Sequence, residues 1–281
     1  MSAKTLIAEF AANRSESKLL QIIASENINM QKKAIVPKTD YSKIAECYDR
    51  VKSEPGPLLP HIIEYGDIKS NSKVLDIGCG TGRLLTNLLP TECSLFGLEP
   101  SQEMLREALS KGSSRGIAWI QGDGQRLPFS NEVFDCVYMA SVLHHIEKKE
   151  LALQEIYRVL KKGGRCVILT HSHSQIRRHV LNDFPGVIAI DLKRFPSVPS
   201  IKRSMSEASF KSVHHHVFHR SERTSTCRYL ERVRSKYVST LTLFNEEEFQ
   251  RRFKVFQERV QRKYGNRIKR IIEFVFVEAS K

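Results

Sequence analysis

The chain has 281 residues, enough for one large α/β domain with insertions or for a domain with a small lid. Its hydrophobic share of 41% allows a sizeable core, and no uncharged apolar run reaches the roughly eighteen residues that a membrane-spanning helix needs. The N-terminus has charges among its apolar residues and no cleavage-like site, so we expect no signal peptide and a cytoplasmic location.

The formal net charge of +14 lies mostly in residues 174–281, which carry 23 Lys and Arg residues against 11 Asp and Glu residues. A basic surface of this kind meets nucleic acid, an anionic membrane surface or an acidic substrate, or it only keeps the protein in solution. Composition alone leaves these four readings open.

Helices are predicted before the first strand. Apolar residues recur at helical spacing over the first 35 residues, so residues 1–36 are predicted to form a helical N-terminal extension. A short helix over Tyr41–Val51 follows, bracketed by Pro37 and Pro55.

From Lys73 onward, short apolar strands alternate with helices. Strands separated by helices of about ten to fifteen residues imply right-handed crossovers and a parallel sheet. The predicted strands are residues 74–77, 94–98, 117–121, 133–140 and 165–170, with helical stretches over 83–89, 101–110 and 149–160.

The last third has a different pattern. We predict a helix over residues 200–209 and a strand over residues 211–219. A basic helix follows, capped by Asn245 and ended by Gly265, and the final strand is Ile271–Val277. Residues 174–199 and 221–263 are predicted to be lid insertions near the carboxyl ends of strands, where open α/β sheets bind ligands.

The strongest chemical signal is the run Val74-Leu-Asp-Ile-Gly-Cys-Gly-Thr-Gly82, a strand that leads into a glycine-rich turn. Gly78 and Gly80 let the backbone turn sharply and approach a ligand, and the exposed amides favour an anionic group. Asp76 argues against a pyrophosphate, because it would bring two like charges together. It suits a cationic ligand such as S-adenosylmethionine.

Further polar residues follow the next strands. Glu99 ends the second strand, where an acidic residue accepts hydrogen bonds from both ribose hydroxyls. Asp123 follows the third strand, in Gln-Gly-Asp-Gly, and is placed to accept from the exocyclic amine of adenine. The fourth strand opens with Phe134-Asp-Cys-Val-Tyr138 and leads to His144 and His145.

These four motifs, in this order and spacing, resemble the class I S-adenosylmethionine-dependent methyltransferases. The chain is similar to the branch that contains the ubiquinone/menaquinone-biosynthesis C-methyltransferases and many small-molecule methyltransferases. The resemblance covers residues 40–172 and also rests on Leu127-Pro-Phe129, Leu143-His-His145 and Leu160-Lys-Lys-Gly-Gly164. It implies a doubly wound, seven-stranded, mostly parallel sheet over residues 37–281, whose last strand, Ile271–Val277, is antiparallel.

The resemblance also implies residue roles toward S-adenosylmethionine, with S-adenosylhomocysteine as the product. The methionine part is lined by Asp76, Gly78, Gly80 and Ser141, the ribose by Glu99, Pro100 and Ser101, and the adenine by Asp123 and Gly124.

Two further pairs complete the predicted site. Tyr41 and Tyr48 resemble the N-terminal helix that closes over the cofactor, or they only pin a helix to the core. His144 would lie near the transferred methyl group, and His144 or His145 is the candidate base, because free imidazole titrates near neutral pH. His171 and His173 lie at the same edge of the sheet.

The His214-His-His216 run with His219 is predicted to lie on a strand, where neighbours point to opposite faces, and the six cysteines include no Cys-x-x-Cys pair. We therefore predict no metal.

We expect a methyltransferase that acts on a small-molecule acceptor, with an acidic acceptor and a homodimer among the open possibilities. The alternatives are an RNA or protein methyltransferase that uses the basic C-terminal third, and a non-enzymatic cofactor-binding or interaction protein. No Asn-Pro-Pro-Tyr-like motif follows the fourth strand, which argues against methylation of base amino groups in nucleic acid.

Overall fold

The computed structural model describes residues 22–23, 41, 45, 48–49, 56–111 and 116–281. The strands of this part form one sheet, in the order β1-β4-β3-β2-β5-β6-β8-β7. They are β1 (Ile22–Ile23), β2 (Lys73–Ile77), β3 (Ser94–Glu99), β4 (Ile117–Gln121), β5 (Phe134–Ala140), β6 (Leu160–Thr170), β7 (Lys211–Ser225) and β8 (Arg267–Ser280).

The neighbouring strands from β1 to β6 are parallel, whereas β8 is antiparallel to both β6 and β7. Strands β2 to β8 are the seven that the sequence predicts, and the antiparallel last strand is confirmed. β2 and β5 are neighbours in the middle of the sheet. From β2 the chain continues to β3 and β4 on one side, and from β5 it continues to β6 on the other, so the strand order reverses between them. Ligands bind at such a switch point in open α/β sheets.

Helices connect the strands on both faces of the sheet. The α-helices are α1 (Leu59–Tyr65), α2 (Gln102–Ser110), α3 (Lys149–Val159), α4 (His173–Arg178), α5 (Val187–Arg194), α6 (Val198–Glu207), α7 (Thr226–Arg234) and α8 (Glu246–Tyr264). Shorter 3-10 helices cover Gly56–Leu58, Leu85–Thr91, Leu143–His145, Val180–Asp183 and Ser239–Leu243. The predicted cap of α8 is confirmed, since the Asn245 side chain accepts a hydrogen bond from the Glu248 N–H at 2.9 Å.

The prediction of helix at the N-terminus is wrong for Ile22 and Ile23. These two residues pair in parallel with Ile120 and Gln121 at the edge of the sheet. Isoleucine is β-branched and favours strands. The outer edge of β4 also offers unpaired backbone groups to a further strand, and the local spacing of apolar residues does not reveal such a partner. The remaining residues of 1–36 lie outside the described part.

Two apolar clusters cover the two faces of the sheet. One includes Leu75 and Ile77 of β2 and packs against α3 and α6. The other includes Val74 of β2 and packs against α1, α2 and the 3-10 helix that follows the glycine-rich turn. Alternate residues of the buried strand therefore serve opposite faces, which holds the carboxyl end of β2 rigidly.

A third apolar cluster lies outside the sheet and joins residues 180–195 to residues 226–264, which we call the cap. Phe184 is its centre, with ring centroids 5.7 Å from those of Phe244 and Phe249 and 5.4 Å from that of Phe256. The predicted second insertion begins too early, because residues 221–225 belong to β7 and continue its pairing with β8. Two segments far apart in sequence thus form one packed unit.

Among the helices of the described ranges, none is long and apolar enough to cross a membrane.

Candidate active site at the carboxyl edge of the sheet

The glycine-rich turn follows β2 at the switch point of the sheet. The Gly78 and Cys79 N–H groups both donate to the Leu98 carbonyl, at 2.7 and 3.1 Å, which ties the turn to β3. Gly78 has φ = 72°, and a Cβ atom there would lie 2.5 Å from Val142 Cγ2. Gly80 has φ = 55°, and a Cβ atom there would meet no described atom within 4 Å. The turn is therefore closed toward the sheet and open on the Gly80 side.

Asp76 is 2% exposed, and its Oδ1 atom has no hydrogen-bond partner among the described residues. Burial, with a smaller contribution from nearby Glu99, raises the pKa of Asp76 to about 8. The Tyr138 hydroxyl is also buried without a hydrogen bond of normal geometry there, but its interaction with Asp76 partly opposes the rise in the pKa of that carboxyl. A buried, unpaired carboxyl is unfavourable on its own, which points to a cationic or hydrogen-bond-donating ligand.

Glu99 is held at the end of β3 by two backbone donors. Its Oε2 atom accepts from the Gly80 N–H and its Oε1 atom from the Ser101 N–H, both at 3.0 Å. Burial raises the pKa of Glu99, and the two N–H groups oppose that shift. A carboxylate has about four acceptor positions, so about two remain for hydroxyl donors. Pro100 and Ser101 follow it directly, with Pro100 exposed.

Asp123 and Gly124 lie just beyond the end of β4, after Gly122, whose N–H donates to the Glu99 carbonyl at 3.2 Å. The Asp123 Oδ1 atom accepts from the Gln125 N–H at 2.9 Å, and both carboxylate oxygens accept from the Gln125 side-chain amide. Asp123 thus stabilises its own turn. At Gly124 a Cβ atom would lie 2.9 Å from Ile77 Cγ2, so the backbone passes close to β2.

The described residues of the segment before α1 lie over the glycine-rich turn. Asp49 accepts a hydrogen bond from the Thr81 hydroxyl at 2.5 Å and forms ion pairs with Lys111 at 2.5 Å and Arg83 at 3.5 Å. We call Tyr41, Ala45, Tyr48 and Asp49 the strap. The rings of Tyr41 and Tyr48 meet edge to face, 6.1 Å apart, so the structure brings both predicted tyrosines to the site.

His145 has a described partner at each ring nitrogen. Its Nδ1 atom lies 3.1 Å from Arg194 Nη2, and its Nε2 atom lies 2.8 Å from the Tyr41 hydroxyl. A guanidinium only donates, so Nδ1 accepts and Nε2 carries the hydrogen that points to Tyr41. His144 is buried and stacks on Phe195, with ring centroids 3.8 Å apart.

Ser141 directly follows β5, with φ = 59°, and is exposed; its N–H donates to the Leu169 carbonyl at 2.9 Å. His171 and His173 lie further from the turn. Their ring nitrogens contact the carbonyls of Glu273 and Phe195, at 3.1 and 2.7 Å.

The histidine run lies on β7, as its alternation predicts. His216 Nε2 lies 3.3 Å from Glu278 Oε1, and His219 Nε2 lies 3.5 Å from Glu273 Oε2, so the two histidines contact different acids. Among the residues that the structure describes, no group of three or more His, Cys, Asp or Glu side chains is placed to hold a metal ion.

Two residues were not predicted from the sequence: Asp49 as a contact of the turn and Arg194 as a site residue. Asp49 stands next to a predicted site residue, which is the one signal that was available. Arg194 ends α5 in the cap, and no motif surrounds it.

The arrangement fits S-adenosylmethionine. Its sulfonium and amino groups are cationic and would complement the buried carboxyl of Asp76, and its ribose has two hydroxyl donors that would match the remaining acceptor positions of Glu99. Gly80 bonds to Glu99 through its N–H, and the position that a Cβ atom would take at Gly80 is open.

Comparisons with known proteins agree with this fit. A sequence profile described as a methyltransferase domain matches residues 75–168. The ubiquinone/menaquinone biosynthesis C-methyltransferase of Pectobacterium carotovorum is 28% identical over 183 residues, which cover 54% of this chain and 72% of that protein. The mitochondrial 2-methoxy-6-polyprenyl-1,4-benzoquinol methylase of Xenopus laevis is 35% identical over 140 residues, 41% of this chain and 45% of that protein.

Solved structures share the fold. A methyltransferase candidate from an antibiotic biosynthesis pathway of Anabaena variabilis superposes with a TM-score of 0.64 at 20% identity, over 83% of this chain and all of that one. A phosphoethanolamine N-methyltransferase of Haemonchus contortus, solved with S-adenosyl-L-methionine, superposes with a TM-score of 0.57 at 18% identity. The match covers 88% of this chain and 60% of that one. The chain therefore carries a methyltransferase domain over residues 75–168 and is similar to the class I S-adenosylmethionine-dependent methyltransferases of the ubiquinone/menaquinone-biosynthesis branch.

Proposed function

We propose that this protein binds S-adenosylmethionine at the glycine-rich turn and transfers its methyl group to a small-molecule acceptor bound under the cap. The observation that carries the proposal is Asp76, a buried carboxyl whose Oδ1 atom has no hydrogen-bond partner among the described residues. Its position directly before an open glycine turn favours a cationic ligand over a dinucleotide.

The cofactor residues have separate tasks in this proposal. Asp76, Gly78, Gly80 and Ser141 hold the methionine part, Glu99, Pro100 and Ser101 the ribose, Asp123 and Gly124 the adenine, and Tyr41 and Tyr48 close over the bound cofactor. Asp76 in β2 and Glu99 at the end of β3 are the best supported, because both are buried and keep acceptor positions.

Bound S-adenosylmethionine supplies a methyl group on cationic sulfur that is already activated for displacement. The acceptor's electron pair forms the new bond to the methyl carbon, the carbon–sulfur bond breaks, and its pair stays on sulfur. The protein's task is to hold the nucleophile in line and to exclude water. The strap and the cap meet at His145, which lies 2.8 Å from the Tyr41 hydroxyl of the strap and 3.1 Å from Arg194 Nη2 of the cap.

The roles of His144 and His145 in proton removal stay predictions. The geometry favours a positioning role for His145, because one ring nitrogen accepts from Arg194 and the other donates to Tyr41. His145 becomes a base only after it gives up one of these contacts.

An RNA acceptor is the second candidate, and it is favoured by one observation. Arg228, Arg251, Lys254 and Arg262 are exposed on the outer side of the cap, without an ion-pair partner in the described ranges. Binding through these residues would weaken steeply with salt, whereas binding of a small molecule in a desolvated pocket would not. The cytoplasmic location and the homodimer stay predictions.

Calorimetric titration with S-adenosylmethionine tests the proposal. The variants are Asp76→Asn and Glu99→Gln, which keep the side-chain shape and remove the charge, with exposed Glu150→Gln as the matched control. A hydrogen bond to a charged group contributes about 1.5–3 kcal/mol, so each site variant should weaken binding roughly 10- to 100-fold. Absence of binding by the unaltered protein, or equal binding by all three variants, would overturn the site assignment.

A further inference from the structure

Arg194 is a nearly buried cation at the edge of the acceptor region. It is the last residue of α5 and is 6% exposed. Its Nη1 atom donates to the Thr240 hydroxyl at 2.8 Å, and its Nη2 atom donates to His145 Nδ1 at 3.1 Å and to the Ser239 hydroxyl at 3.3 Å. All three partners are uncharged acceptors.

No carboxylate of the described residues lies within ion-pair distance of Arg194. Asp191, which lies in the same helix, attracts Arg194 through space, but its Oδ1 atom accepts from the Thr240 hydroxyl. That hydroxyl in turn accepts from Arg194, so it lies between the two charges. Burial raises the pKa of Asp191 and lowers the pKa of Arg194. A buried guanidinium without a direct counter-ion is unfavourable, unless a ligand completes it.

The position of Arg194 relative to the cofactor site follows from Tyr41. The Tyr41 side chain interacts electrostatically with both Glu99, on the ribose side, and Arg194, on the cap side. It also bonds His145, which Arg194 contacts. Arg194 therefore lies across the strap from the cofactor residues, where an acceptor under the cap would stand.

We propose that Arg194 binds an anionic oxygen of the acceptor, a carboxylate or an ionised phenol or enol, and so selects acidic acceptors. This inference rests on the proposed function and deepens it. An arginine stays charged even when buried and presents several donors in a plane, which suits a two-oxygen anion. The anion replaces the missing counter-ion, so the site prefers it to a neutral molecule of the same shape.

A purely structural role has different consequences. Arg194 also joins α5 to the 3-10 helix Ser239–Leu243 through its two hydroxyl partners, and a cation at a helix C-terminus is favourable. Such a role would affect stability alone. It would leave the ratio of anion affinity to neutral-ligand affinity unchanged.

The test uses the full-length protein saturated with S-adenosylhomocysteine and titrated with two matched probe pairs. These are benzoate against benzamide, and 4-nitrophenolate against nitrobenzene. The variants are Arg194→Gln and Arg194→Lys, with exposed Arg228→Gln as the control. Saturation with S-adenosylhomocysteine, measured first, reports on the proposed function separately and shows that each variant is folded.

We expect at least one anion to bind the unaltered protein and Arg228→Gln roughly tenfold or more tightly than its neutral partner. That preference should vanish in Arg194→Gln and persist in part in Arg194→Lys, while S-adenosylhomocysteine binds all four proteins. Equal binding within both pairs, binding of neither pair, or an intact preference in Arg194→Gln overturns the proposal. Failure to bind S-adenosylhomocysteine overturns the proposed function instead.

Discussion

Binding of S-adenosylmethionine should release a proton, and its affinity should rise with pH. The reason is Asp76, whose pKa is raised to about 8 by burial and by nearby Glu99. In the cofactor-free protein at neutral pH, this carboxyl is therefore mostly protonated. A cationic ligand stabilises the carboxylate, so the proton leaves when the cofactor binds.

The magnitude follows from linkage. Below the raised pKa, each pH unit adds about 1.4 kcal/mol to the free energy needed for ionisation, which is roughly a tenfold change in affinity. Affinity should therefore increase about tenfold between pH 6 and pH 7 and level off as the pH passes the Asp76 pKa of about 8. The ionised form binds, so affinity is lost as the pH falls through that pKa.

The stability of the cofactor-free protein should move the other way. Asp76 holds its proton longer in the folded protein than in the unfolded chain, whose value is near 3.8. The stabilising contribution of Asp76 is therefore fully present below that value and is lost as the pH rises toward about 8. The shift of about four units sets a ceiling of roughly 6 kcal/mol, which relaxation around the carboxylate reduces.

Titration calorimetry in two buffers with different ionisation enthalpies measures the released proton directly. The same measurement on Asp76→Asn gives the protons that the ligand itself exchanges, which are then subtracted. Thermal unfolding of this variant provides a second readout. We expect the unaltered protein to release close to one proton per bound cofactor at neutral pH, and the variant to release none. Above pH 7 the variant should also unfold at a higher temperature than the unaltered protein. A pH-independent affinity without proton release, together with an unstabilised variant, would refute the reasoning.

Two further predictions concern the turn and the strap. Gly80→Ala and Gly163→Ala both place a side chain at positive φ with no described atom within 4 Å, so each should lower the free energy of unfolding by about 1–2 kcal/mol. In calorimetry, S-adenosylmethionine affinity should fall for Gly80→Ala alone, and equal affinities would show that the open side of Gly80 does not face the cofactor. Asp49→Asn removes ion pairs that include Lys111, so we expect several-fold faster cofactor release in stopped-flow measurements and a stability loss below about 1 kcal/mol. Asp67→Asn, which breaks the exposed pair with Lys69, should leave release unchanged; a similar rate for both variants would contradict a role for the strap.

Features that depend on neighbours in sequence were predicted correctly. The strand before Gly78, the helix cap at Asn245 and the end of α8 at Gly265 each follow from a few consecutive residues. Hydrogen bonds within a turn or a cap close over three or four positions, so their signal is local. The places of Asp76 near the end of β2 and of Glu99 at the end of β3 are local in the same sense, whereas their roles toward a cofactor stay predictions.

Features that depend on distant residues were missed or misplaced. Ile22 pairs with Ile120, and nothing near Ile22 in sequence indicates that edge. β7 extends to Ser225 because β8 continues beside it as far as Arg267, whereas the local pattern predicted a strand that ended earlier. Strand length and edge pairing are decided by the partner strand, which lies far away in sequence.

The sequence by itself determined the order of strands and helices, the glycine-rich turn and its two acids, because these rest on local geometry and on periodic burial. Only the tertiary structure decided that Asp49 meets Lys111 and that His145 meets Arg194. It also decided that two insertions share one core around Phe184. These contacts join segments tens of residues apart, and their free energy arises from burial and charge pairing that exist only after the chain has folded.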